Sequence, residues 1–202
     1  MENIIPLFST PLYSTNIGVD YDIPLKNIHL RLDQRDNGGG ISLDQEYLLK
    51  TKSLKKSIDE EIEIYLRKYL RLKTTVELKH QCSWVLVHKK GDFSPKHYHS
   101  NSWLSGIYYY KVNPNSGQLV FNNTPPFGWT CSLMDPVSEV EDFNLLNSNE
   151  YGVTPKEGDL FLFPSHLNHN SKSNESDDDR ICISLNYTLH GMWGVNTSRI
   201  NI

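Results

Sequence analysis

Residues 180–188 read RICISLNYT. Ile181, Ile183, Leu185 and Tyr187 alternate with Cys182, Ser184 and Asn186, the period-two pattern of a strand that buries one face. An arginine, Arg180, opens the strand. Working back from it, 159–163 (DLFLF) reads as a strand stopped at Pro164, and 117–122, 104–112 and 82–88 read as three more, with a turn at Gly91-Asp92. Short strands divided by turns predict an antiparallel sandwich or barrel.

Further upstream the period changes. Over 44–72, Leu54, Ile58, Ile62, Leu66 and Tyr69 recur at steps of three or four with charged residues between them, which predicts a helix packed on one face of a sheet. Residues 1–20 read as a short strand and a turn, since Pro6 and Pro11 limit any helix, and 36–40 (DNGGG) reads as a flexible loop. Residues 123–150, with Pro125, Pro126 and Pro136, form a connection long enough to be a lid or binding loop, in which Phe127 and Trp129 are candidate substrate contacts. The expected class is mainly β with a flanking N-terminal helix. The expected organisation is one domain over 1–202, with an N-terminal strand and helical support over 1–75 and a barrel over 76–202.

Composition narrows the function. A chain of 202 residues holds one sizeable core, and a net charge of −4 without a basic cluster argues against tracking nucleic acid phosphates. No apolar run is long enough to cross a bilayer, and the N-terminal MENIIPLFSTPLY lacks the basic start and long apolar stretch of a secretory signal. Cys82, Cys131 and Cys182 are odd in number and unclustered, so reduced thiols in a cytoplasmic setting are expected and a cysteine zinc site is not.

The chemistry lies in histidines. His97 and His99 are one residue apart, and on a strand such residues share a face, so their imidazoles can chelate one metal ion. His169 follows the 159–163 strand and can complete a facial set of three, leaving other positions open as oxygen-activating iron requires. Eleven residues on stands Arg180, whose guanidinium fork matches a carboxylate, although Asp177, Asp178 and Asp179 beside it offer surface pairing instead. His29, His80, His88, His166 and His190 are assigned structural or solvent-exposed places: His29 and His80 outside the barrel strands, His88 lining the sheet, His166 at the rim.

The segments LFSTPLY (7–13), SWVLVHKKGDF (83–93), HYHSNSWLSGIYYY (97–110), SGQLVF (116–121), PKEGDLFLFPSHLNH (155–169) and RICISLNY (180–187) keep the order of the iron(II)/2-oxoglutarate oxygenases. The chain resembles the bacterial and phage-type members of the prolyl-hydroxylase-like branch. That resemblance implies a double-stranded β-helix (the jelly-roll, cupin-like barrel), the cofactor Fe(II), the cosubstrates 2-oxoglutarate and O2, and hydroxylation of a protein side chain or small molecule. It also implies a cytoplasmic place in a bacterium or phage-infected host cell. Carried over by position, His97 and His169 stand for iron ligands, Arg180 for the partner of the far carboxylate of 2-oxoglutarate, Tyr109 for a tyrosine bonding the same carboxylate, and Ser184 for a wall of that pocket.

The sequence departs from the family pattern at His99, where a carboxylate is usual. Three readings are open: His99 is itself the third ligand, an acid such as Asp92 completes the set, or His99 is the first ligand with Asn101 near the third position. Two other functional classes share the barrel. A cupin-like metal protein would account for the histidine pair and for Pro155, Gly158 and His169, but leaves Arg180 without a purpose and lacks the expected glutamate. A non-catalytic barrel would account for the missing carboxylate.

Overall fold

The computed structural model describes residues 9–26, 28–32, 39–123, 141–144 and 148–201. Its strands are β1 (Tyr13–Asn16), β2 (Leu30–Leu32), β3 (Gly40–Ser42), β4 (Glu77–His88), β5 (Leu104–Lys111), β6 (Leu119–Asn122), β7 (Glu150–Val153), β8 (Asp159–Pro164), β9 (Asn168–Ser171), β10 (Arg180–His190), β11 (Met192–Trp193) and β12 (Ile200–Asn201). Seven of them form a sheet in the order β1-β8-β5-β10-β4-β3-β2, three form a second sheet in the order β7-β6-β9, and β11 pairs with β12. The pairings between strands are antiparallel. This is the double-stranded β-helix, with a helical layer on one face of the larger sheet.

The alternation in β10 sorts the two faces. Ile183, Leu185 and Tyr187 pack with Val85, Tyr108, Leu160 and the helix residues Leu54, Ile58 and Ile62. Cys182 belongs to the other core, between the sheets, with Leu86, Tyr109, Leu119, Phe121, Phe161 and Phe163. Arg180, Ser184 and Asn186 share its parity, so three polar side chains are turned inward by the period of the strand alone.

The helical layer is a 3-10 turn (Tyr47–Lys50), the helix α1 (Lys52–Ile64) and a π turn (Tyr65–Tyr69). Leu54, Ile58, Ile62 and Leu66 are buried as the periodicity predicts, but Tyr69 is 56% exposed. The π turn, closed by the Leu70 N–H donating to the Tyr65 carbonyl at 3.0 Å, holds more residues per turn than an α-helix and carries Tyr69 off the apolar stripe. Two phenols tie the helix to the sheet: Tyr187 donates to Asp59 Oδ1 at 2.5 Å and Tyr13 donates to Glu61.

Other differences from the expected elements have local causes. Gly40, expected in a loop, opens β3, whose Ile41 pairs with Leu86 of β4. His80, expected outside the barrel strands, lies inside β4, and His190 ends β10. β7 (EYGV) is mostly exposed and β9 (NHNS) is polar at every position, its inward face being His169 and Ser171, so no apolar pattern marks either. β1 on one edge and β2–β3 on the other come from residues before 76 and extend the larger sheet. Phe127, Trp129, Cys131 and most of the 123–150 connection lie outside the described residues. Among the described residues, no helix is long and apolar enough to cross a membrane.

Candidate active site

His97 and His169 are brought together by the backbone. Each donates its N–H to the other's carbonyl at 2.9 Å, an antiparallel bridge that sets their side chains opposite one another on one face. His97 is thus in a bridged extended segment rather than a regular strand, yet the two-residue spacing still works. The His99 N–H donates to the Ser165 carbonyl at 2.9 Å, which holds the segment extended and keeps His99 on the same face. One nitrogen from each ring falls within 4.8 Å of the other two, and His169 is buried while His97 and His99 are half-buried. Ring centroids stand 4.4 Å apart for His97 and His169, 5.2 Å for His97 and His99, and 5.3 Å for His99 and His169.

The donor set fits a divalent metal of imidazole affinity such as iron(II). In the neutral ring, His97 Nδ1 donates to the Pro95 carbonyl at 2.7 Å and His169 Nδ1 donates to the Leu167 carbonyl at 2.9 Å. A carbonyl only accepts, so each ring carries its proton on Nδ1 and leaves the Nε2 lone pair for a ligand. Burial, with the neighbouring His97 and His99, holds the His169 pKa down at about 3, so it is neutral at pH 7. Among the described residues no aspartate or glutamate joins the group. Asp92 instead accepts the Lys89 N–H at 2.9 Å in its turn, and Asn101 lies on the cavity wall but is exposed.

A cavity of about 450 Å³ connects the three histidines with Arg180, and Tyr109, Ser184 and Asn186 also line it. That volume is in the range of about 300–1,000 Å³ usual for small-molecule sites. Arg180 is 1% exposed. It does not pair with the adjacent acids: Asp177 meets Lys90 at 2.7 Å and Asp178 meets Lys111 at 3.7 Å, both on the surface. The guanidinium donates instead to the Ser116 carbonyl, the Lys172 carbonyl at 3.1 Å, Ser171 Oγ at 2.9 Å and His88 Nδ1 at 2.7 Å. Gly117 permits this, because at φ +82° a Cβ there would stand 2.5 Å from the Lys172 and Ser173 carbonyls.

All four acceptors are neutral, and among the described residues no carboxylate is within ion-pair distance of Arg180. A buried cation without an anion is costly, so this end of the cavity suits a ligand carboxylate. Tyr109, 2% exposed, faces Cys182 across the β5–β10 register, and burial raises its pKa while Arg180 opposes the rise. The described cavity walls include Arg31 and Lys96 besides Arg180, and no aspartate or glutamate.

His88 is a part of this end that the sequence reading left as a sheet lining. It is cross-strand from Arg180 and 1% exposed. An arginine only donates, so His88 Nδ1 accepts and its proton sits on Nε2, which faces Ser94 Oγ at 3.4 Å. Burial and the Arg180 charge hold its pKa at about 3. Ser171 and Asn186 were missed as well. The parity that puts Ser184 inside puts Asn186 inside, so the signal for it was present in the alternation.

A profile of the family described as "Putative 2OG-Fe(II) oxygenase" matches residues 82–186, which is 105 of the 202 residues and contains every candidate site residue. The chain belongs to this family. Solved structures share its fold. An oxidoreductase of the 2OG-Fe(II) oxygenase family from Burkholderia pseudomallei aligns with a TM-score of 0.55 at 8% identity, over 80% of this chain and 72% of that one. HygX from Streptomyces hygroscopicus, solved with nickel, 2-oxoglutarate and hygromycin B, aligns with a TM-score of 0.54 at 13% identity, over 89% and 83%. A prolyl hydroxylase from Trichoplax adhaerens, in complex with a peptide of the hypoxia inducible factor oxygen degradation domain, aligns with a TM-score of 0.50 at 17% identity, over 77% and 65%. No curated protein is significantly similar in sequence.

Proposed function

We propose that the chain is an iron(II)- and 2-oxoglutarate-dependent hydroxylase in which His97, His99 and His169 hold the metal and Arg180 receives the far carboxylate of the cosubstrate. The observation that carries this is a buried guanidinium with no anion beside it among the described residues, facing the same cavity as three convergent imidazoles. Iron(II) and 2-oxoglutarate, when bound, supply the oxidising chemistry that places an oxygen atom of O2 on a C–H bond as the keto acid becomes succinate and CO2. The protein's residues bind and orient. Arg180 fixes one end of a diacid by charge and by a forked hydrogen bond, and Tyr109 donates its phenol proton to the same carboxylate. Ser184 and Cys182 wall the cavity between the two ends, and the apolar flank of Leu119 and Phe163 excludes water from it.

Trp84 lines the cavity beside the histidines, its ring 5.9 Å from that of His99, and is a candidate substrate contact. The names of the structural neighbours offer two classes, a peptidyl side chain and a small molecule, and we assign the substrate to one of these. A cytoplasmic setting is inferred from the odd number and lack of clustering of Cys82, Cys131 and Cys182 in the sequence.

The test is formation of succinate from 2-oxoglutarate with Fe(II) and O2, together with calorimetric titration of 2-oxoglutarate into the metal-loaded protein. Wild type is expected to form succinate and Arg180→Ala to lose it. Metal binding without any 2-oxoglutarate binding would favour the cupin-like reading, and absence of metal binding would favour the non-catalytic barrel.

A further inference from the structure

We propose that Asn186 is a positioning residue for His99: the way its amide is turned selects the His99 tautomer and so decides whether the third imidazole offers a lone pair to the metal. The inference rests on the metal-site reading above. His97 and His169 have their tautomers set by carbonyls that can only accept. His99 is different, because its Nδ1 faces the amide of Asn186, with Nδ2 3.4 Å away. An amide can present either an acceptor or a donor along the same direction.

In the orientation seen here the NH2 group faces His99. Nδ1 then accepts, the ring proton sits on Nε2, and a protonated Nε2 cannot ligate. Turned by 180°, the amide offers Oδ1, which accepts the Nδ1 proton and frees the Nε2 lone pair.

The surroundings satisfy both orientations. Cross-strand from Asn186 are Ser105 on β5 and Cys82 on β4. As seen, Oδ1 accepts from Ser105 Oγ at 2.7 Å and Nδ2 approaches Cys82 Sγ at 3.7 Å. After the turn, Nδ2 donates to Ser105 Oγ, the Ser105 proton passes to Ser165 Oγ 2.8 Å away, and the Cys82 thiol donates to Oδ1. A hydroxyl and a thiol are the side chains that can reverse their roles in this way, whereas a carbonyl or an ammonium could not. The ladder between β10 and β4 also shifts register between Asn186 and Tyr187, an irregularity of the kind that re-aims a side chain beside a site. Asn186 itself is 3% exposed, so water does not compete for the amide.

The experiment compares the full chain with Asn186→Leu, Asn186→Asp and Ser105→Ala. Co(II) affinity is read by calorimetry, and the His99 tautomer in metal-free protein is read by 15N–1H multiple-bond NMR of the imidazoles. Asn186→Leu is expected to leave the proton on Nε2 and to weaken Co(II) binding by about 10- to 100-fold, the usual cost of losing a ligand's outer partner. Asn186→Asp, which can only accept, should place the proton on Nδ1 and keep Co(II) affinity at or above wild type. Ser105→Ala keeps the amide but removes one partner, with an expected loss of about 2- to 10-fold. Wild-type Co(II) affinity in Asn186→Leu, or an unchanged His99 tautomer in Asn186→Asp, overturns the role of Asn186 alone. Failure of the wild type to bind Co(II) overturns the metal-site reading and this proposal with it.

Discussion

The two ends of the cavity are built by opposite means. At the histidine end three side chains converge through backbone pairing, and His97 and His169 are each steadied by a hydrogen bond to a carbonyl two residues back in their own segments. At the Arg180 end one side chain is held by four acceptors from three separate segments, two carbonyls, a hydroxyl and an imidazole. The first end is pre-aimed and, among the described residues, holds no carboxylate. The second is pre-charged and has no counterion among the described residues. The partners proposed for them are of opposite character, a cation at the histidine end and an anion at the Arg180 end, and the cavity of about 450 Å³ has room for a ligand that spans both.

Substitutions can separate the two ends. The largest effect is expected from His169→Ala, which removes the most buried imidazole of the three. Divalent metal affinity should fall by more than the roughly 100-fold that loss of an outer partner brings. Calorimetry with Mn(II) or Co(II) measures it, and retained affinity would show that His169 is not a ligand.

Next comes Arg180→Lys, which keeps the charge and loses the fork. Affinity for 2-oxoglutarate should fall on the order of 10- to 100-fold, as expected for a charged hydrogen-bonding group. Metal affinity without 2-oxoglutarate should stay as in wild type, and an equal loss of both would erase the distinction between the ends.

His88→Gln tests the support of the guanidinium. The amide oxygen can still accept from Arg180, so 2-oxoglutarate affinity should drop by about 10-fold or less. The same variant has a pH signature. The folded His88 resists protonation down to about pH 3, while an unfolded histidine takes up its proton near pH 6.5. The unfolded chain therefore binds more protons between these values, and stability falls as pH falls through that window. His169, held at about 3 by its burial, adds to the same trend. Urea unfolding of metal-free protein at pH 7 and pH 5 should show the decline, and His88→Gln should flatten it.

The smallest effect belongs to a residue outside both ends. Tyr187→Phe removes the bond to Asp59 on the helix face and should cost about 1 kcal/mol of stability without changing metal or 2-oxoglutarate affinity.

The sequence displays these two ends unequally. The spacing of His97 and His99 and the alternation through 180–188 are periodic, and periodicity survives folding because the backbone enforces it. The bridge that sets His169 opposite His97 is a register between distant segments, and register leaves no local mark. The same holds for His88, which gains its importance by standing across from Arg180. β7 escaped notice because it is mostly exposed and β9 because both its faces are polar, and Tyr69 was misplaced because a π turn alters the phase that a 3.6-residue period assumes. The aspartates beside Arg180 were the plainest distraction. They are neighbours in sequence, but their side chains turn outward to Lys90 and Lys111 while the arginine turns inward.

The proposed metal site, with no carboxylate in it among the described residues, has a thermodynamic consequence. Three neutral imidazoles leave both positive charges of a divalent ion uncancelled, so whatever else binds in the cavity must cancel them. With Fe(II) and 2-oxoglutarate bound as proposed, each ligand strengthens the other by the same factor, because linkage is reciprocal. On that proposal metal alone is held loosely and the dicarboxylate completes its site, so that the fraction of metal-loaded protein is expected to follow the supply of the keto acid.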